Sequence, residues 1–115
     1  MMQDAIDLAV FRELQDTAGT DFVVELVDTF LEEAPAMLAE LRGARAAGDE
    51  ERFRRAAHSL KSNGRTFGAT TLGALARELE LKGMDADPAR DAAALAALDV
   101  AYSDAAAALR ELTRG

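Results

Sequence analysis

His58 is the only histidine of the chain and lies in the run Ala57-His58-Ser59-Leu60-Lys61-Ser62-Asn63-Gly64. At about 100° per residue a helix places Arg54, Arg55, His58, Lys61, Ser62 and Arg65 on one face. Phe53, Ala56, Leu60 and Phe67 fall on the other, which would face a core. The imidazole is then left in water among cations. An imidazole is a nucleophile and proton acceptor near neutral pH, and neighbouring Lys and Arg suit it to an anion such as phosphate. His58 and Lys61 are spaced i, i+3, and His58 and Ser62 i, i+4, so both pairs meet on a helix surface. Ser62 and Gly64 are small and would leave room for another protein's active site. Ser59 sits about 100° round from His58, so a Ser–His nucleophile pair is not supported. The only acidic residue in line to orient the ring is Glu51, two turns earlier, so a hydrolase triad is not supported either. A lone helical histidine is ordinarily solvated and idle. That reading leaves the Lys, the small residue and the Gly at these offsets unexplained.

The elements that must position this face are helical throughout. Ala, Leu, Glu and Arg dominate, and no segment alternates as a strand would. A short first helix is expected over about Asp4 to Gln15, with Ile6, Val10, Phe11 and Leu14 as apolar positions. Thr17-Ala18-Gly19-Thr20 breaks it, with Thr20 or Asp21 as the next cap. The second helix spans about Asp21 to Ala47 and contains Pro35, which predicts a kink or break. Gly48-Asp49 ends it and caps the third helix, Asp49 to Phe67, which carries His58. Gly68 follows. Thr70 or Thr71 could cap a fourth helix with Leu72, Leu75, Leu79 and Leu81 inward, ended by Gly83. Asp87 and Pro88 then read as N-cap and first residue of a last helix, Pro88 to Leu112, carrying Leu95, Leu98, Tyr102 and Leu109. Short loops between four substantial helices imply an all-α fold: an antiparallel four-helix bundle with a short additional N-terminal helix.

The chain has 115 residues, half of them apolar, which suits one domain over residues 1–115 with its own core. It has no Cys, so disulfides and thiolate chemistry are excluded, and one His makes a zinc or haem site improbable. No apolar run approaches the roughly 20 residues of a membrane span, and the acidic N-terminus is not a secretory signal. A cytoplasmic location is expected. Abundant Ala and an excess of Arg over Lys suit a GC-rich bacterial genome. The net charge of −8 disfavours nucleic-acid binding. Residues 50–66 carry five basic and two acidic side chains, a local balance of +3 against −11 elsewhere, so His58 sits in the one basic stretch. Arginines decorating a solvated helix face would give the same pattern.

Residues 57–68, AHSLKSNGRTFG, resemble the signature of histidine-containing phosphotransfer (HPt) domains at His58, Leu60, Lys61, Ser62, Phe67 and Gly68. Leu72, Leu75 and Leu79-Glu80 are similar to the family's next helix. Ser62 stands where Gly is commoner; both are small. The resemblance implies a phosphorelay intermediate with no ATP site or kinase activity of its own. His58 would take a phosphoryl group on Nε2 from a receiver aspartyl phosphate or a sensor histidine kinase and pass it to a response-regulator receiver domain. Lys61 and Arg65 would offset phosphoryl charge, and Arg54 and Arg55 would meet the receiver's acidic pocket. No cofactor would be bound by this chain, since Mg²⁺ would come with the receiver. Leu8, Phe11, Leu14, Phe22 and Leu26 are the docking surface the resemblance implies, on a protein most simply monomeric. Two alternatives are an interaction bundle that binds a receiver or kinase without carrying phosphate, and a phosphoacceptor domain excised from a larger histidine kinase. The lack of linker sequence favours a stand-alone protein over the second.

Overall fold

The computed structural model describes residues 5–114 and contains, among them, five helices and no strand. They are α1 (Leu8–Ala18), α2 (Thr20–Ala47), α3 (Glu50–Thr66), α4 (Thr70–Lys82) and α5 (Pro88–Leu112). Helices α2 to α5 pack each on the next, and α5 returns to α2. The pairs Phe30–Phe67 and Glu40–Arg52 make α2 and α3 antiparallel; Leu31–Tyr102 and Arg45–Asp91 do the same for α2 and α5. The all-α bundle with a short extra helix is therefore the observed architecture. Its centre is built from Val27, Phe30 and Leu41 of α2, Phe53 and Leu60 of α3, Leu72 of α4, and Leu98 and Leu109 of α5, all fully or nearly fully buried. Burial of such side chains is worth roughly 1.5–3 kcal/mol each and supplies the driving force for the bundle.

Several boundaries differ from expectation for local reasons. Asp4, the expected start of α1, lies outside the described residues. The helix starts at Leu8 because Asp7 caps it, its Oδ1 accepting from the Ala9 N–H at 3.0 Å. It runs past Gln15 to Ala18. Gly19, at φ 94°, donates its N–H to Gln15 and is also the N-cap of α2, so the expected four-residue break narrows to one. Thr20 and Asp21 are thus inside α2 and do not cap it. Likewise α4 is entered through buried Ala69 with no side-chain cap, and Thr70 is its first residue. Asp49 and Asp87 do cap α3 and α5, accepting from Arg52 N–H at 3.1 Å and Ala89 N–H at 3.0 Å. Leu81, expected inward, is 59% exposed, because it lies about 200° round the helix from buried Leu79.

Pro35 does not break α2, which is continuous through it. Proline has no N–H for the carbonyl four residues back, that of Leu31. The Tyr102 hydroxyl of α5 donates to that carbonyl instead, at 3.3 Å. A neighbouring helix thus fills the acceptor that Pro35 vacates.

Helix α5 is apolar enough by length and composition to cross a membrane, with a mean hydropathy of 1.4 over 18 residues. Isolated acidic residues interrupt the run and hid it from a count of consecutive apolar positions. In the bundle this helix buries Leu95, Leu98 and Leu109, and its Asp91 and Asp99 pair with Arg45 and Arg42.

Helix α1 covers one end of the bundle, burying Phe11 just after Ile6. The Asp7 N–H donates to the Gly68 carbonyl at 2.7 Å. Gly68 has φ 81°, and a Cβ there would lie 2.7 Å from the Asp7 carbonyl oxygen. Only glycine allows both that backbone angle and that approach.

Candidate functional site

Helix α3 is set up to expose one face. Asp49 caps it, Glu50 and Glu51 lie in its first turn and Arg65 in its last, all favourable to the helix dipole. Phe53, Ala56, Ala57, Leu60 and Gly64 form its buried stripe. His58 is consequently turned outward, with 57% of its side chain exposed.

The ring is not free. Glu80, near the end of α4, places Oε2 2.6 Å from His58 Nδ1, while its Oε1 accepts from Lys61 Nζ at 2.5 Å. The Lys61 ammonium, and after it the His58 contact, hold the Glu80 carboxyl below its ordinary value of 4.5, against the opposing effect of burial. An ionised carboxylate only accepts hydrogen bonds. Nδ1 must therefore carry the hydrogen, and in the neutral ring the lone pair is then on Nε2. One carboxylate thus selects the ring tautomer and anchors the cation one turn away.

Glu80 was not among the residues the α3 pattern pointed to, because it comes from another helix. A signal for it does exist. Two antiparallel helices pair residues equidistant from their turn, and His58 and Glu80 are each eleven positions from Ala69.

The other expected site residues divide. Ser62 and Arg65 are exposed on the His58 face. Gly64 faces away from any partner: it is buried against α4, where a Cβ would sit 3.4 Å from the Gly73 nitrogen. Arg54 is engaged within the chain by Glu50 and by the last carbonyls of α4. Arg55 pairs with Glu51 and Arg52 with Glu40. The basic stretch is therefore largely neutralised, with Arg65 its one basic side chain lacking a carboxylate partner among the described residues.

Of the expected docking residues, Phe11 is core, 1% exposed, because it points from α1 into the bundle. Leu14 and Leu26 are half-buried, while Leu8 and Phe22 are exposed. Phe22 is not beside His58. The Phe30–Phe67 and Glu40–Arg52 pairings put Ala36 and Met37 of α2 about level with His58, and these two line a groove with Arg55 and Ser59, next to His58 in sequence. Phe22 lies roughly 20 Å further along the axis at 1.5 Å per residue.

Comparison with known proteins fits this geometry. The Hpt domain profile matches residues 25–112, from within α2 to the end of α5. The sensor protein TorS of Escherichia coli (strain K12) is 32% identical over 82 residues, 71% of this chain. The chain spans only 9% of that protein's length. No solved structure matches the chain. With the profile covering the four bundle helices, the chain belongs to the Hpt domain family, the histidine phosphotransfer domains of two-component phosphorelays.

Proposed function

We propose that His58 Nε2 is the phosphoacceptor of this domain, taking the group from an aspartyl phosphate on a receiver domain or from a sensor histidine kinase and passing it to a response regulator. The observation that carries this is the ring's arrangement: Nδ1 is held by Glu80 on a side chain that is more than half exposed, so Nε2 is the nitrogen left to react. In the first case the Nε2 lone pair forms the N–P bond as the P–O bond to the aspartyl carboxylate breaks. That carboxylate leaves with the electron pair. The ring gains positive charge, which the Glu80 carboxylate on Nδ1–H offsets. Passing the group on is the same step in reverse against a second aspartate. Such transfers depend on in-line positioning and charge stabilisation. Lys61 and Arg65 are the cations available for the phosphoryl oxygens, and Mg²⁺ comes with the receiver. The groove of Ala36, Met37 and Ser59 is the surface on which the receiver docks. A second reading, transfer within a larger sensor, is favoured by the match to a short part of a sensor protein.

The test is the intact mass of the protein after mixing with a phosphorylated receiver domain and Mg²⁺, beside a His58→Gln control. One acid-labile phosphoryl group, absent from the control, is the expected result. Binding without mass gain across several receivers would replace the carrier with an interaction module.

A further inference from the structure

We propose that Arg54 is a positioning residue for Glu80, holding the end of α4 so that the carboxylate stays on His58 Nδ1. The inference rests on the phosphoacceptor reading of His58. Arg54 lies one turn before His58 on α3. Its Nη1 donates to the carbonyl of Glu80 itself at 3.2 Å and to that of Leu81 at 3.5 Å; its Nη2 donates to the carbonyl of Lys82 at 3.4 Å. Helix α4 ends at Lys82, so these carbonyls have no partner within the helix. A guanidinium at that point satisfies them and complements the negative end of the helix dipole. Helix α3 therefore grips Glu80 twice, by its carboxylate through His58 and Lys61 and by its backbone through Arg54.

The grip is itself braced. Glu50 Oε1 accepts from Arg54 Nε at 3.1 Å, and both Glu50 oxygens accept from the Met84 N–H, at 3.2 and 3.1 Å. Arg54 and Glu50 thus clasp the chain on both sides of Gly83. Glycine at 83 makes this possible: φ is 71°, and a Cβ would fall 1.9 Å from Glu50 Oε1 and 2.6 Å from Arg54 Nη2. Without the clasp the last turn of α4 has unpaired carbonyls, and Glu80 sits in that turn. Fraying there lets the carboxylate leave Nδ1, and the ring loses the bond that fixes its tautomer.

The experiment is ¹⁵N NMR of the His58 ring in unphosphorylated wild type, Arg54→Met and Glu50→Gln, with folding checked by circular dichroism. Arg54→Met removes the donors but keeps the aliphatic stem; Glu50→Gln weakens the brace more gently and serves if Arg54→Met does not fold. The expected result is a fall in the Nδ1–H tautomer in both, larger in Arg54→Met. Phosphoryl acceptance should slow by about tenfold in Arg54→Met. In a Glu80→Gln background the same substitution should change the rate by less than about twofold, since the group it positions is already altered. An unchanged tautomer in folded variants, or full additivity with Glu80→Gln, would overturn the proposal. Because the tautomer is read without phosphate, failure of the carrier reading would show separately, as wild-type protein that takes no phosphoryl group.

Discussion

Glu80 serves a lysine and an imidazole with one carboxylate, and its charge state bears on both contacts. Its folded pKa lies below the ordinary 4.5, with the Lys61 hydrogen bond as the largest cause. A depressed carboxyl pKa contributes stability that is fully present above the ordinary value and lost as pH falls through the folded one. The difference in urea midpoint between wild type and Glu80→Gln should therefore shrink as pH falls from the ordinary value of 4.5 through the lower folded one. A difference that persists in acid would show that the pair adds nothing specific to the ionised form. Glu80→Gln should also slow phosphoryl acceptance by about ten- to a hundredfold, read by phosphohistidine formation with a loaded receiver. Lys61→Met should return the Glu80 carboxyl toward its ordinary pKa in a ¹³C titration, and no movement there would remove Lys61 as the main cause. At this scale His58 and Lys61 were legible because their spacing lies within one helix. Glu80 was not, because i, i+3 and i, i+4 rules say nothing about a residue on the next helix until the turn between them is fixed at Ala69.

The helices themselves were legible from apolar spacing, and their junctions less so. Thr20 and Thr70 look like caps, yet Gly19 and Ala69 take those positions, and neither has a side-chain oxygen to offer the first turn. Pro35 shows a different limit. Its effect depended on whether another helix could bring a donor to the Leu31 carbonyl, and that donor, Tyr102, is remote in sequence. Burial accordingly raises the Tyr102 hydroxyl's pKa, so it is a neutral donor at physiological pH. Tyr102→Phe keeps the ring against Phe30 but removes the bond, and should destabilise the bundle by about 1 kcal/mol in urea denaturation. With Pro35→Ala the backbone N–H of residue 35 can take the carbonyl, and Tyr102→Phe should then cost less than half as much. Equal costs in both backgrounds would mean that the hydroxyl does not compensate for the proline.

Across the whole molecule, geometry limits which surface a receiver can share with His58. An ordinary interface covers about 800 Å² per partner, a disc of roughly 16 Å radius. Centred on His58, such a patch takes in the groove at Ala36 and Met37 but stops short of Phe22. Met37→Arg should weaken receiver binding by at least about tenfold in calorimetry, and Phe22→Ala by less than about twofold. The reverse order would move the docking surface to the end of the bundle. The sequence marked Phe22 as apolar and on an early helix, but distance along a bundle depends on which turns are level, and only the packed helices fix that. The same layout sets α1 apart. Its backbone bond to the bundle is at Gly68, ten residues beyond His58 on the far side of α3's last turns, and it lies outside the Hpt match. Local opening of α1 would thus release Phe11 and the Asp7–Gly68 bond while leaving His58, Lys61 and Glu80 untouched. In hydrogen-exchange terms, α1 amides should keep the same protection whether or not His58 carries phosphate, so the lid and the relay run on separate clocks.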